Sequence, residues 1–479
     1  MDEAMVLVGV YLDKLGWGNC QSLVFIQCGL ALSAAQAWML SQSFVLIGAG
    51  HLWDLSSTIK GLIGSCLQIG MLIGSLVFGT LGDKHGRIYS FKKCVWVNVA
   101  ACFCLIFSFH YSMMMLFYLL LGIGVGGDLT LAGTTFSEFC PPEKRWLLAG
   151  LSCFYPIGGM IASGINLFVY GVIGDEDHDW RYIVGAFFII ELCLALWRLK
   201  LYETPAYYIM IGQESDAEET LKRIAKENGQ FKSFTSYHQA MLSIVRREEL
   251  ASKKEKLEGF DRIKSLFSKK NRKTTICITL VNFLTFSGYI SLLIFMPTFL
   301  NDFSQLQIYL IILMQTVIAL PGNIFGSFLV RSKFGRRNTL AMGLGISGTL
   351  CILFFIDVGD AVTIGCIAII NALILISVGA LTTITAESYD TEIRSCASGW
   401  HTAFGRLGGI VSPMIIGRLL DTSNGDTISV TIFAICFFLA GMFACLLKET
   451  RKVQKKGVLR MTLQKSMAIQ SNPSKSQDT

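Results

Sequence analysis

The sequence predicts an all-α membrane protein of twelve transmembrane helices in two six-helix bundles. Three observations predict it. Of 479 residues, 52% are hydrophobic and only 16% charged, against about 25% charge in a soluble domain, and mean hydropathy is +0.54. Apolar runs of about 20 residues, the length of helix that crosses a bilayer, recur twelve times. The last six of them repeat landmarks of the first six at one offset. This composition excludes a soluble enzyme, a disordered chain and a nucleic-acid module. The net charge of +7 is spread as a membrane topology spreads it.

Taken in order, the first six runs lie near 21–48, 60–81, 94–110, 113–138, 147–172 and 181–199. The first is polar around Ser33–Gln36 and the third is short. Six more lie near 274–300, 306–330, 338–356, 361–386, 396–419 and 427–447. In lipid the backbone must satisfy its own hydrogen bonds, so these runs are helices. The predicted organisation is an N-terminal bundle (1–199), a cytosolic linker with amphipathic helices (200–273), a C-terminal bundle (274–450) and a disordered cytosolic tail (451–479). In the linker, SDAEETLKRIAKE (215–227) sets Leu221, Ile224 and Ala225 at helical spacing among charges.

Placing both termini in the cytosol puts 37 of the 41 Lys and Arg on the cytosolic side, leaving Lys60, Arg181, Arg406 and Arg418. That asymmetry is the usual cytosolic excess of positive charge. Basic segment 246–273 then lies near anionic lipid. The 15 Cys fall almost entirely within apolar runs with no C-x-x-C, which reads as packing thiols rather than disulfides or a metal site. No cofactor is expected. The chain also shows no cleavable signal peptide and no glycosylation sequon.

An offset of 249 residues aligns Gly86-Arg87 with Gly335-Arg336, Glu138 with Glu387, Arg145 with Arg394, and Gly150 with Gly399. Four landmarks at one offset point to a duplicated six-helix unit, an arrangement whose solute site lies at the repeat interface near the midplane.

These residues resemble the major facilitator superfamily over nearly the full length. GTLGDKHGR (79–87) is similar to its G-x-L-x-D-x-x-G-R motif. SEFCPPEKR (137–145) is similar to its E-x-x-P-x-x-x-R pattern, with Asp390 in place of Pro in the second copy. YETPAYYIM (202–210) and KETR (448–451) resemble motifs of its sugar and organic-ion branches. GWGNCQ (16–21), WRY (180–182) and GRLGGIVSP (405–413) look most like the branch of synaptic vesicle two-related proteins and organic-ion and aromatic-acid transporters. GGDLTLAGTTFSE (126–138) also looks like a phosphate:proton symporter signature, but the seventh run lacks the acid that family carries, and it lacks the Gln-Gln pair of sugar porters.

Ionisable groups in mid-membrane are functional candidates by default. By helical rise, Asp128 lies ~15 Å and Arg406 ~18 Å from the cytosolic surface. One reading has Arg406 attract an anion, since guanidinium geometry favours carboxylate or phosphate, while Asp128 binds the driving proton. The resemblance supports both roles. The other reading has the two neutralise each other and hold the fourth and eleventh helices together. Helices 1, 4, 7 and 10 line the cavity in the superfamily. Gln36, Asn282, Thr285, Phe286, Tyr289, Asn371, Thr382 and Thr383 are therefore further substrate-binding candidates. Glu191 reads as structural. Asp83, Arg87, Glu138, Arg145, Glu387 and Arg394 are expected to form a latch between the bundles at the cytosolic mouth.

The sequence-level expectation is a monomeric secondary transporter, not an enzyme. It moves a small organic anion by alternating access through the lipid bilayer, with a proton as candidate co-substrate and no nucleic-acid partner. Two alternatives stay open: an inorganic phosphate:proton symporter, and a non-transporting receptor-like or vesicle membrane protein of the same fold.

Overall fold

The computed structural model describes residues 8, 9, 11–13, 15–141, 144, 147–173, 179–230, 259–300, 303–353, 360–389 and 391–449. Twelve long helices dominate them. The first six are α1 (Asn19–Trp53), α2 (Ser57–His85), α3 (Arg87–Ile106), α4 (Tyr111–Phe139), α5 (Phe154–Ile173) and α6 (Asp179–Arg198). The last six are α7 (Arg272–Phe299), α8 (Gln305–Arg331), α9 (Arg336–Ile352), α10 (Asp360–Ser388), α11 (Thr391–Leu420) and α12 (Gly425–Cys445). Eleven are long and apolar enough to cross a membrane; α9 has 17 residues. Short helices Pro205–Met210, Glu214–Glu227 and Gly259–Leu266 lie in the linker. The expected tail lies outside the described residues.

Within the first six helices α4 packs on α2 and α3, α6 on α3, and α1 on α5; in the last six α11 packs on α7, α9 on α12 and α10, and α8 on α10. Small residues allow the closest of these approaches. A Cβ on Gly74 would lie 1.9 Å from the Ile123 carbonyl oxygen, and one on Gly126 2.1 Å from that of Met71. Only glycines let α2 and α4 touch backbone to backbone there. Outward faces carry exposed Leu76, Phe168, Ile189, Phe325, Phe328 and Met442, which suits acyl chains rather than water.

The end of the molecule holding the α2–α3 and α8–α9 turns will be termed the basic face. Each turn is built alike. Gly86 (φ 110°) and Gly335 (φ 87°) adopt backbone angles that favour glycine. Glu203 accepts from the Ile88 and Tyr89 amides (3.0–3.2 Å), and Glu449 from those of Arg336 and Arg337 (3.2 and 3.1 Å). Both acids thus satisfy otherwise orphaned donors at a helix start. Arg87 Nε meets Glu138 at 3.0 Å and Arg336 meets Glu387 at 2.8 Å, each pair spanning 51 residues of chain. The internal repeat is therefore structural.

Candidate functional site

The two halves meet along α2–α11, α5–α8 and α1–α7. The face opposite the basic one is the outer end of this seam. At that outer end the Asp421 carboxylate, just beyond α11, accepts from the Ser57 amide (3.0 Å), the Thr58 amide (3.1 Å) and the Thr58 hydroxyl (2.5 Å). Ser56 caps the same helix by accepting from the Ile59 amide. Asp421 is thus an N-cap supplied by the other bundle. Burial alone would raise its pKa; the bonds from Thr58 and Ser57 outweigh this and hold the carboxyl below its ordinary value. Tyr309 of α8 stacks edge-on against both Phe44 and Tyr170. Deeper, the Ser65 hydroxyl donates to the Ile410 carbonyl at 2.7 Å.

At mid-membrane the seam turns polar. Arg406 is 8% exposed. Its Nη1 donates to Gln68 Oε1 at 3.1 Å and approaches the Met71 sulfur at 3.6 Å, both on α2. Its guanidinium lies 6.0 Å from the Phe286 ring centroid. Gln36 Nε2 on α1 donates to the Tyr289 hydroxyl on α7 at 2.9 Å, across the seam. Tyr155 of α5 lies near both Arg406 and Tyr289. Side chains from α2 and α7 therefore flank the α11 guanidinium. Among the described residues no carboxylate lies within 4 Å of it, and its hydrogen-bond partners are the neutral Gln68 and Met71.

Asp128 lies elsewhere. It is 2% exposed inside the first bundle, and its Oδ1 is 2.6 Å from Arg198 Nη1, itself 2% exposed. Asn98 donates to Asp128 Oδ2 at 3.2 Å. Arg198 also donates to the Phe91 carbonyl at 3.0 Å and stacks on that ring at 3.8 Å. The pairing of Asp128 with Arg406, the second of the two readings, does not occur. A buried carboxylate needs a partner, and Arg198 supplies it from α6. Two turns earlier on that face, Glu191 accepts from the Trp38 indole at 2.9 Å.

The remaining candidates divide. Asn282 is buried and donates to Ile278 of its own helix. The Thr285 hydroxyl and Asn371 Oδ1 are buried with no hydrogen-bond partner among the described residues. Thr382 and Thr383 line a separate cleft with Ser152, Asn323 and Ser327. The basic-face ion pairs Asp83–Arg87–Glu138 and Arg336–Glu387 each stay within one bundle. Among the described residues these pairs act as intrabundle anchors, where the sequence suggested a latch between bundles. The physical reason is local. The Thr204 hydroxyl donates to Glu138 at 2.7 Å, holding that acid against the Glu203 segment of its own half. Arg145 and the Arg394 side chain lie outside the described residues.

Sequence reasoning missed Gln68, Met71, Tyr155, Arg198 and Asp421. One signal was present: Glu191 and Arg198 are seven residues apart in an apolar run, hence on one helical face.

With this geometry in view, the comparisons decide the family. A model of the sugar (and other) transporter family matches residues 26–458. The chain belongs to that family, within the major facilitator superfamily. It is 26% identical to the niacin transporter NiaP of Acinetobacter baylyi, over 78% of this chain and 81% of that one. It is 25% identical to organic cation/carnitine transporter 7 of Arabidopsis thaliana, over 93% of each. It is 24% identical to the synaptic vesicle 2-related protein of Rattus norvegicus, over 91% of this chain and 79% of that one. Among solved structures, the inward-open xylose transporter XylE of E. coli superposes with a TM-score of 0.67 at 18% identity, covering 88% of this chain and 94% of that one. That likeness establishes the twelve-helix fold. The family is one of multi-pass membrane transporters, not enzymes.

Proposed function

We propose that this family member is a secondary transporter that moves a small organic anion, such as an aromatic monocarboxylate, by alternating access between its two halves. One observation carries the reading: Arg406 is a guanidinium at the bundle seam, neighboured by an amide, a thioether and an aromatic ring, with no acid among the described residues to neutralise it. Burying an uncompensated cation is costly unless a counter-charge arrives. A carboxylate offers that charge with matching geometry. Phe286, Tyr155 and Tyr289 then flank a flat ring. Similarity to a niacin transporter supports the same class.

In this reading the basic face is cytosolic, with both chain termini, because Lys and Arg concentrate there. The Asp421 clamp joins the two halves at the outer face. Proton coupling through Asp128 requires a further state in which Arg198 has released it. Inorganic phosphate is disfavoured, since among the described residues no second cation lies beside Arg406, and one guanidinium suits a monoanion better than a dianion.

The test is uptake of labelled benzoate and labelled phosphate into proteoliposomes, with Arg406→Gln alongside. Benzoate uptake that is lost in the variant supports the reading. Phosphate uptake without benzoate uptake selects the phosphate alternative. Ligand binding with no flux of either selects the non-transporting one.

A further inference from the structure

We propose that the cleft between the start of α5 and the facing sides of α8 and α10 is a second solute station, one that takes hydrogen-bond-donating head groups: primary amides, hydroxyls or protonated amines. The inference rests on the transport reading and deepens it.

The cleft has room for a small head group (≈ 50 Å³), opens to solvent at its mouth, and among the described residues no Lys, Arg, Asp or Glu lines it. Its polar wall is Ser152 from the first half and Asn323, Ser327, Thr382 and Thr383 from the second. The hydroxyl hydrogens of three of these, and one of the two amide hydrogens of Asn323, are already committed to backbone. Ser327 donates to the Asn323 carbonyl (3.0 Å), and Thr382 and Thr383 both donate to that of Gly379 (2.9 Å). Asn323 Nδ2 donates across the seam to the Ser152 carbonyl at 2.8 Å.

A hydroxyl that donates to its own helix keeps its lone pairs for a guest. The cleft therefore offers acceptors and little donation. A carboxylate entering it meets lone pairs, while an ammonium or amide N–H meets partners. The side chains that choose are also within reach of a solute: Thr382 is exposed, and Ser152, Ser327 and Thr383 are half-buried.

This preference is the reverse of that at Arg406, where a guanidinium supplies the donors. The two stations are linked through α5. Tyr155, which lies near Arg406, follows Ser152 by one helical turn. A solute bearing both an acidic and a donating group, or a neutral amide relative of the anion, would be held in turn by both.

The test compares one ring with three head groups. Binding of benzoate, benzamide and benzylamine is measured by calorimetry on the full-length protein in lipid nanodiscs. Thr382→Val with Thr383→Val removes two acceptors at constant shape, and Ser327→Ala serves as the second variant should the double variant misfold. Losing such bonds should weaken benzamide and benzylamine about tenfold or more, with benzoate unchanged. Arg406→Gln should do the opposite. The proposal is overturned if the wild type binds neither donor probe, or if the cleft variants leave both unchanged or weaken all three alike. Benzoate binding that survives Arg406→Gln would instead sink the Arg406 reading, while the cleft comparison kept its meaning.

Discussion

Replacing Asp421 by Ala removes the carboxylate that accepts from Ser57 and Thr58 across the seam. Two amide donors at the start of α2 are then left to water. Loss of an N-cap costs typically ~1 kcal/mol, and loss of a negative charge at a helix N-terminus adds about 0.3–1 kcal/mol at exposed sites. Asp421 is exposed, so screening favours the lower end. The total is roughly 1–1.5 kcal/mol, which shifts the closed-to-open ratio at this face about 5- to 10-fold. Asn at this position can still accept, and should shift it less. The assay is a distance measurement between spin labels at His51 and Ser423, both exposed on this face, with the exposed Cys193 and Cys445 replaced. The open population should grow in Asp421→Ala. Acid should act in the same direction. Because the clamped carboxyl titrates below its ordinary value, its contribution is complete above the ordinary carboxylate pKa and is lost as pH falls through the lowered one. Distance distributions identical in wild type and Asp421→Ala, at neutral and acid pH, would refute the clamp.

Arg406→Gln should weaken benzoate binding about 10- to 100-fold, the worth of a hydrogen bond to a charged group, read by calorimetry. Arg198→Ala strands Asp128 and should cost about 3–5 kcal/mol, seen as a large fall in thermal stability; Arg198→Met with Asp128→Leu should recover most of it. Gly74→Leu drives a side chain into the Ile123 carbonyl and should abolish monodisperse expression, whereas Gly79→Ala, whose Cβ meets only Thr130 at 3.6 Å, should not. Glu203→Gln and Glu449→Gln each weaken the capping of a helix start and should lower thermal stability by similar amounts of about 0.5–1 kcal/mol.

The helices and the repeat were legible because their signals are local. Bilayer thickness sets run length, and an ion pair at a loop needs particular residues at a particular separation. Arg87–Glu138 and Arg336–Glu387 could be aligned before any fold was known. The partner of each charge was not legible, since pairing depends on which helix faces which. Depth arithmetic set Asp128 level with Arg406, and that says nothing about rotation around α4. The face of α4 bearing Asp128 turns toward α3 and α6, where Asn98 and Arg198 wait. Asp421 was hidden for a related reason: it reads as an ordinary acidic loop residue until α2 is brought beside it.

The two halves differ most where their function should lie. At the basic face they keep the same chemistry, a positive-φ glycine, a capping glutamate and an Arg–Glu pair, because both must turn the chain sharply there. At mid-membrane the likeness ends. The first half carries acids, and it seals Asp128 with a guanidinium of its own. The second half carries Arg406 and supplies no acid to meet it. A duplicated unit needs no such imbalance to fold, and an uncompensated buried cation makes folding harder. Its cost is offset when a mobile anion completes the pair in one conformation and leaves in the other. On that argument Arg406→Leu should make the empty protein more stable, while abolishing the rise in melting temperature on adding benzoate. A variant no more stable than wild type when empty would show that Arg406 is already satisfied, and the anion site would have to be sought elsewhere along the seam.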